Sequence, residues 1–269
     1  MSTAMVLRRQ VGRQFENWRE AAGIRLTDRE LVAITGSTRT VKRLEQGARV
    51  RLTFPVIGEL CDYYGVPAQE KYEMQRIWRL VDEATWAQPS HAVVASGFDA
   101  YVGFERIATR FDLYSTVWVP GQFQDENYIR RIFKEDPFTD DSRIPDLVEQ
   151  RLHRQEGIRR REPAPTMRVL LSEAVLRYGC DEGQIERLME EDSKPHITIK
   201  YMAFEDGPPP KLDVPFNVLS FSDSADPSIV YLESPYERRF YEKREVVNHY
   251  LQIIDLGCQR ARSMREFKP

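Results

Sequence analysis

The sequence predicts an N-terminal all-α helix-turn-helix domain of about five helices, followed by a larger α+β domain. Three observations predict it. Apolar stripes at helical spacing, cap residues and turn signals alternate at short intervals over residues 8–66. Beyond residue 99, runs rich in β-branched and aromatic residues alternate with helical ones. The charge is divided unequally: residues 1–53 hold eleven Lys/Arg against five Asp/Glu, and the rest of the 269-residue chain holds 28 against 37. A basic head on an acidic body suits a polyanionic partner for the head alone.

Residues 8–22 give the first helix. Val11, Phe15, Trp18 and Ala22 form one apolar stripe, and Gly23 follows as a cap. Thr27, followed three residues later by Glu30, is a capping-box pattern; it opens a short helix over Asp28–Ile34 that buries Leu31 and Ile34. Thr35-Gly36-Ser37 is a turn signal. The next helix, Thr38–Gln46, turns Val41 and Leu44 inward and ends at Gly47. Phe54–Tyr64 is a fourth helix, with Pro55 tolerated in its first turn. Residues 68–84 are a fifth, with Tyr72, Ile77, Trp78, Val81 and Ala84 as packing positions. The helical period is lost between Thr85 and Phe98. The domains are therefore placed at residues 1–84 and 99–269, with a linker at 85–98.

In the second domain, helices are expected over residues 99–107, 125–133, 142–161, 172–178, 182–191 and about 237–262. Strands are expected over 114–119, 167–171, 197–204, 216–221 and 229–233. Trp118 and Tyr231 read as core residues. Glu233 is a candidate buried acid for an arginine such as Arg106 or Arg151.

A helix-turn-helix works by geometry: its first helix crosses the DNA backbone and its second enters the major groove. With Val41 and Leu44 facing the core, Thr38, Arg39, Thr40, Lys42 and Arg43 are left to point outward. Arg39 has the fork that pairs with guanine, Lys42 or Arg43 suits phosphate, and Ser37 and Thr38 can both cap the helix and donate to phosphate. The plainer alternative is a solvated helical face. In the second domain, Gln122, Phe123, Gln124 and Tyr128, after Pro120-Gly121, are candidates for a partner or ligand surface; the plainer alternative is a tight turn before a helix.

Other chemistry finds no support. Cys61, Cys180 and Cys258 are odd in number and far apart, which suits buried, reduced thiols. His91, His153, His196 and His249 are scattered without metal-ligand spacing, so no metal and no cofactor are expected. There is no GxSxG and no glycine-rich phosphate loop, so an enzyme is not expected. No run of 18 apolar residues and no secretory signal are present, which points to a cytoplasmic protein away from the membrane.

The segment Gly12–Gly65 carries REAAG, T-x-x-E-L and TVKRLEQG, and resembles the XRE (Cro/repressor-like) helix-turn-helix family. Five further segments widen the resemblance to nearly the whole chain. They are WVPGQFQDENYIRRI, RLHRQEGI, LSEAVLRYG, HITIKYMAFEDG and FNVLSFSDSADPSIVYLES, and they stand in the order found in the actinobacterial antitoxin-like, WhiJ-related regulators. That resemblance implies a transcriptional regulator, often encoded beside a small partner protein that the C-terminal domain is expected to engage; double-stranded DNA is the expected partner of the first domain, and a homodimer is expected of such a regulator. Two departures stand out. The turn before Val41 is one residue shorter than in the family, and Asp28 stands where a phosphate-touching glutamine is common. Two readings follow: a DNA-binding regulator whose second domain engages a partner or effector, or an antitoxin-type interaction module that sequesters a small partner with weak or lost DNA binding.

Overall fold

The computed structural model describes residues 3–82, 98, 100–207, 211–222, 227–234 and 238–268. The chain forms two units: residues 1–107 with 234–242, and residues 108–233 with 243–269. The expected linker falls, apart from Phe98, outside the described residues, as do Ala84 and the side chain of Val81.

The first unit holds α1 (Thr3–Ala21), α2 (Arg29–Thr35), α3 (Thr38–Glu45), α4 (Phe54–Tyr63), α5 (Ala68–Asp82) and α6 (100–105). Its core is the set of apolar side chains that the helical period brings to one side: Val11, Phe15, Leu31, Val41, Leu44, Ile57 and Leu60 are all buried. Each such burial contributes about 1.5–3 kcal/mol. Trp18 is half-buried and meets Phe15 edge-on at 5.6 Å. Trp78 is buried, and its Nε1 donates to the Leu52 carbonyl at 2.8 Å.

Three expectations are corrected in this unit. Ala22 is exposed, because α1 ends at Ala21. Tyr72 is 69% exposed. It lies roughly 160° round α5 from buried Met74, on the far side from Ile77 and Trp78. The N-cap of α2 is Asp28 rather than Thr27: its carboxylate accepts from the Glu30 and Leu31 amides, leaving Thr27 exposed.

The second unit is α+β, as its alternating runs predict. Its strands are β1 (Arg110–Ser115), β2 (Thr166–Ser172), β3 (Ile197–Met202), β4 (Phe216–Ser220) and β5 (Ile229–Glu233). After them come β6 (Arg238–Tyr241), which belongs to the first unit, and the two-residue β7 (Arg262–Ser263). Within the second unit the strand order is β5-β4-β1-β2-β3-β7. The pairs β1–β2 and β2–β3 are parallel, and β4–β1, β5–β4 and β3–β7 are antiparallel. Parallel neighbours need helical crossovers. These are α7 (Glu126–Glu135) with α8 (Ile144–Arg159), and α9 (Glu173–Gly179) with α10 (Glu182–Asp192). The last helix, α11 (Arg244–Arg260), passes so close to the sheet that a Cβ on Gly257 would strike the side chains of Leu170 and Leu212.

Several boundaries differ from expectation. The first strand runs from Arg110 rather than Tyr114, so Val117 and Trp118 fall beyond it and stay exposed. Residues 238–241, expected as the start of the last helix, are extended, and Phe240 packs on Phe104 at 5.7 Å. Glu233 is exposed rather than buried and accepts from Tyr231, and Arg151 donates to Gln124. Tyr231 is buried as expected. Among the described residues no helix is long and apolar enough to cross a membrane, and no cluster of His, Cys, Asp and Glu could hold a metal ion.

One polar group sits at the centre of the sheet. Asp112 on β1 is fully buried and faces Arg168 across the parallel ladder. It accepts from Arg168 Nε at 2.6 Å and from Arg110 Nε at 2.8 Å, and Arg168 also reaches Asp255 on α11. Removing one member of a buried pair leaves its partner's charge uncompensated. Asp112→Ala is expected to destabilise the chain by about 3–5 kcal/mol. Asp255→Ala, at a side chain 51% exposed, is expected to cost about 0–1 kcal/mol. Urea unfolding of the two variants checks both values.

Candidate nucleic-acid interface

The site is built on the turn between α2 and α3. Gly36 takes the left-handed conformation (φ 83°) that closes a helix, and its N–H donates to the Val32 carbonyl at 2.8 Å. Ser37 follows at once as the N-cap of α3, its Oγ accepting from the Thr40 amide at 3.1 Å. Thr35 Oγ1 donates to the Leu31 carbonyl at 2.7 Å. The turn is therefore Gly36-Ser37 alone, and both helix ends find partners across it. The missing residue leaves a tight turn, not a broken one.

The α3 helix is placed by its C-terminal end. Arg19 on α1 and Glu45 on α3 are both buried and meet through two bonds, Nε to Oε1 at 2.6 Å and Nη2 to Oε2 at 3.0 Å. Arg19 Nη1 also donates to the Ile24 carbonyl at 3.0 Å. The hydrogen bonds that Arg19 donates to Glu45 hold the Arg19 pKa above its ordinary value. Gly12 lies directly on the Leu44 and Glu45 carbonyls, where a Cβ would collide. Gly47 (φ 66°) lies on the backbone of Arg9. Helices α1 and α3 thus meet backbone to backbone, with a buried ion pair beside the contact.

With that end fixed, the face opposite Val41 and Leu44 is turned to solvent. Arg39, Lys42 and Arg43 are exposed, and Ser37, Thr38 and Thr40 are half-buried. Arg39 and Lys42 make no hydrogen bond or ion pair among the described residues. Arg43 Nη2 donates to the Arg49 carbonyl at 2.9 Å and ties the following loop to the helix. The Ser37 and Thr40 hydroxyls lie 2.9 Å apart. The sequence alone assigns no role to Arg49 and Arg51, whose side chains are exposed and have no partner among the described residues, on the loop that Arg43 holds by the Arg49 carbonyl. Their signal was the A-R-V-R run after Gly47, which has no helical period to assign it a face.

The Asp28 carboxylate is engaged at the start of α2. Its Oδ1 accepts from the Glu30 amide at 2.9 Å, the Leu31 amide at 3.1 Å and Tyr63 Oη at 2.7 Å. The Tyr63 bond, followed by the Leu31 bond, holds its carboxyl below the usual carboxylate range. Its negative charge lies against the positive end of α2.

In the second unit, Gln122, Phe123, Gln124 and Tyr128 are all buried. Gln124 Nε2 donates to the Val119 carbonyl at 2.7 Å, and the Val119 amide donates to Tyr128 Oη at 3.0 Å. Gln155 donates to the Gly121 and Gln124 carbonyls, both at 2.8 Å, and Gln184 to the Phe123 carbonyl at 3.0 Å. Gln124 and Tyr128 thus hold the segment's own backbone, while Gln122 and Phe123 line a cleft. Burial pushes the Tyr128 phenol up to about 12 and the Cys61 and Cys180 thiols to about 12, which keeps those groups protonated at neutral pH.

Two family models match the chain. Residues 98–266 match the family described as Domain of unknown function (DUF5753), and residues 10–73 match a helix-turn-helix domain. No curated protein and no solved structure matches the chain.

Two outcomes follow from the geometry. Glu45→Ala is expected to destabilise the chain by about 3–5 kcal/mol, because it strands a buried guanidinium; thermal and urea unfolding measure it. The second concerns acid. A carboxyl whose folded pKa is depressed stabilises the fold above its ordinary pKa of about 3.9, and that contribution is lost as pH falls through the lowered value. Tyr63→Phe removes the largest cause of the depression at Asp28. The stability difference between wild type and Tyr63→Phe should therefore be full at neutral pH and shrink as pH falls below about 3.9. Unfolding titrations across that range check it, and a difference that stays constant would contradict it.

Proposed function

We propose that this chain, which belongs to the DUF5753 family and carries a helix-turn-helix domain ahead of that family's domain, is a DNA-binding transcriptional regulator of the XRE type. In this reading it is WhiJ-related, acts as a homodimer and is not an enzyme, and its second domain engages a small partner protein or effector. The observation that carries the reading is the pair Arg39 and Lys42: exposed, without partners among the described residues, and mounted on a helix whose other end is locked to α1. An arginine already in an ion pair must give up its partner to reach a base edge; Arg39 has none to give up among the described residues. Arg49 and Arg51 extend the same basic surface.

The rival reading, an antitoxin-type interaction module with lost DNA binding, draws on Asp28 and the short turn. Both weaken as objections. The turn satisfies both helix ends, and the Asp28 carboxylate is engaged by three donors.

DNA fragments from upstream of the coding region, titrated with the full chain by fluorescence anisotropy at several salt concentrations, test the proposal. Arg39→Ala is expected to cost about 1–3 kcal/mol on a specific fragment and to relax discrimination. Lys42→Ala is expected to weaken all fragments alike and to reduce the log–log salt slope by about one. No binding to any upstream fragment at low salt, together with co-purification of a small protein encoded alongside, would transfer the conclusion to the rival reading.

A further inference from the structure

The second unit contains a cleft of about 190 Å³, remote in sequence from the helix-turn-helix, between the C-terminal ends of α8 and α10 and the first residues of β2 and β3. One side is charged. Glu191, on α10, is only 2% exposed. Its Oε1 is met by Arg187 at 2.7 Å and Arg159 at 3.7 Å, and its Oε2 by Lys194 at 2.7 Å. One buried carboxylate therefore stands among three cations; Glu190 lies 3.9 Å from Arg187 and Glu156 acts on Arg159, while the cleft lining itself sets Arg159 and Lys194 against the single carboxylate of Glu191. Arg159 is held in place by its own bonds, Nη2 to Gln155 Oε1 at 2.9 Å and to the Gln122 carbonyl at 3.3 Å. Burial first, and the nearby Arg187 charge second, hold the Arg159 pKa below its ordinary value, as expected for cations short of a counter-ion. The rest of the lining sets the polar Gln122, Gln155 and His196 beside an apolar patch that includes Phe123, Met167 and Ile197.

We propose that this cleft binds a small organic acid, its carboxylate on Arg159 and Lys194 and its apolar body against Phe123, Met167 and Ile197. Glu191 Oε2 accepts a hydrogen bond from Lys194 and Oε1 is met by ion pairs alone, so an incoming amine meets cations around the only carboxylate of the lining, whereas an anion meets Arg159 and Lys194. The volume corresponds to about six waters' worth of liquid and is below the roughly 300–1,000 Å³ of sites for drug-sized ligands. That suits an acid of the size of benzoate. The inference deepens the effector half of the reading above and rests on it for its regulatory meaning. Binding is measured without DNA, so failure here and failure of DNA recognition are separate results.

The test is an NMR titration of the full chain with benzoate, its neutral counterpart benzamide, the cation benzylamine, and inorganic phosphate. Benzoate should shift resonances of the cleft and bind about tenfold or more tighter than benzamide, the fold-change expected of a charge-assisted contact. Benzylamine should not bind, and phosphate, lacking an apolar body, should bind more weakly than benzoate. Lys194→Glu, at a half-buried side chain, should weaken benzoate at least about tenfold, with the melting temperature as the check on folding. Ala164→Trp, at an exposed residue of the cleft lining, should block it by filling the space. The proposal fails if benzamide or benzylamine binds as well as benzoate, if phosphate matches it, if both variants bind benzoate as wild type does, or if no shift appears at about 20 mM, well above the millimolar affinity of a weak site.

Discussion

The contact on which the exposed basic face of α3 depends is the buried pair Arg19–Glu45. A short helix such as α3, eight residues long, has little stability of its own and takes its orientation from what it packs against. Val41 and Leu44 supply adhesion, but apolar contact is non-directional and would tolerate rotation about the helix axis. The two-bond guanidinium–carboxylate geometry does not. Set beside the backbone contact at Gly12, it fixes both the depth and the rotation of α3. Which side chains face solvent then follows from helical periodicity alone.

The second unit solves a different problem with similar chemistry. Its central strands are covered on both faces, so β1 is buried along Phe111, Leu113 and Tyr114. Asp112, in the middle of that run, is tolerable only because Arg168 stands directly opposite on β2 and Arg110 reaches in from the same strand. A polar cross-strand pair inside an apolar sheet also marks its register: a slip of one residue would bury both charges without partners. The segment after β1 is organised by side-chain amides in the same manner, with Gln155 and Gln184 donating to its carbonyls.

How much of this was legible in the sequence depended on the distance over which each feature acts. The helices of the first unit were legible because their signals are local: the Val11–Phe15 spacing, Gly36 and Ser37 at the turn, Gly47 after α3. The alternation of strands and helices in the second unit was legible for the same reason. Features that act over long separations were not. Arg19 and Glu45 are 26 residues apart and Asp28 and Tyr63 are 35 apart, and no periodicity joins them. Asp28 displaced Thr27 as the cap because a tyrosine from α4 reinforces it. The first strand was drawn too late because Val117 and Trp118 have strand character, while the pairing partners that define β1 lie on β2 and β4. In the cleft, Arg187, Glu191 and Lys194 could be read as one helical face, but Arg159 joins them from another helix. The outward set on α3 was named from the sequence. Arg49 and Arg51 have no such local signal, since bonds with Arg43, from the Ala48 amide to its carbonyl and from its guanidinium to the Arg49 carbonyl, bring that loop to the helix.

The close approach at Gly12 also gives α3 an electrical polarity as a tool. The carbonyls of Leu44 and Glu45, which form the negative pole of the helix, are capped over by the backbone of α1. The opposite pole, at Ser37 and Thr38, is left open beside Arg39. A polyanion meeting this helix encounters its attractive end in water and finds much of its repulsive end already shut away. A single hydrogen atom in place of a side chain, at a position that touches no ligand, thereby sets which end of the helix an approaching charge can feel.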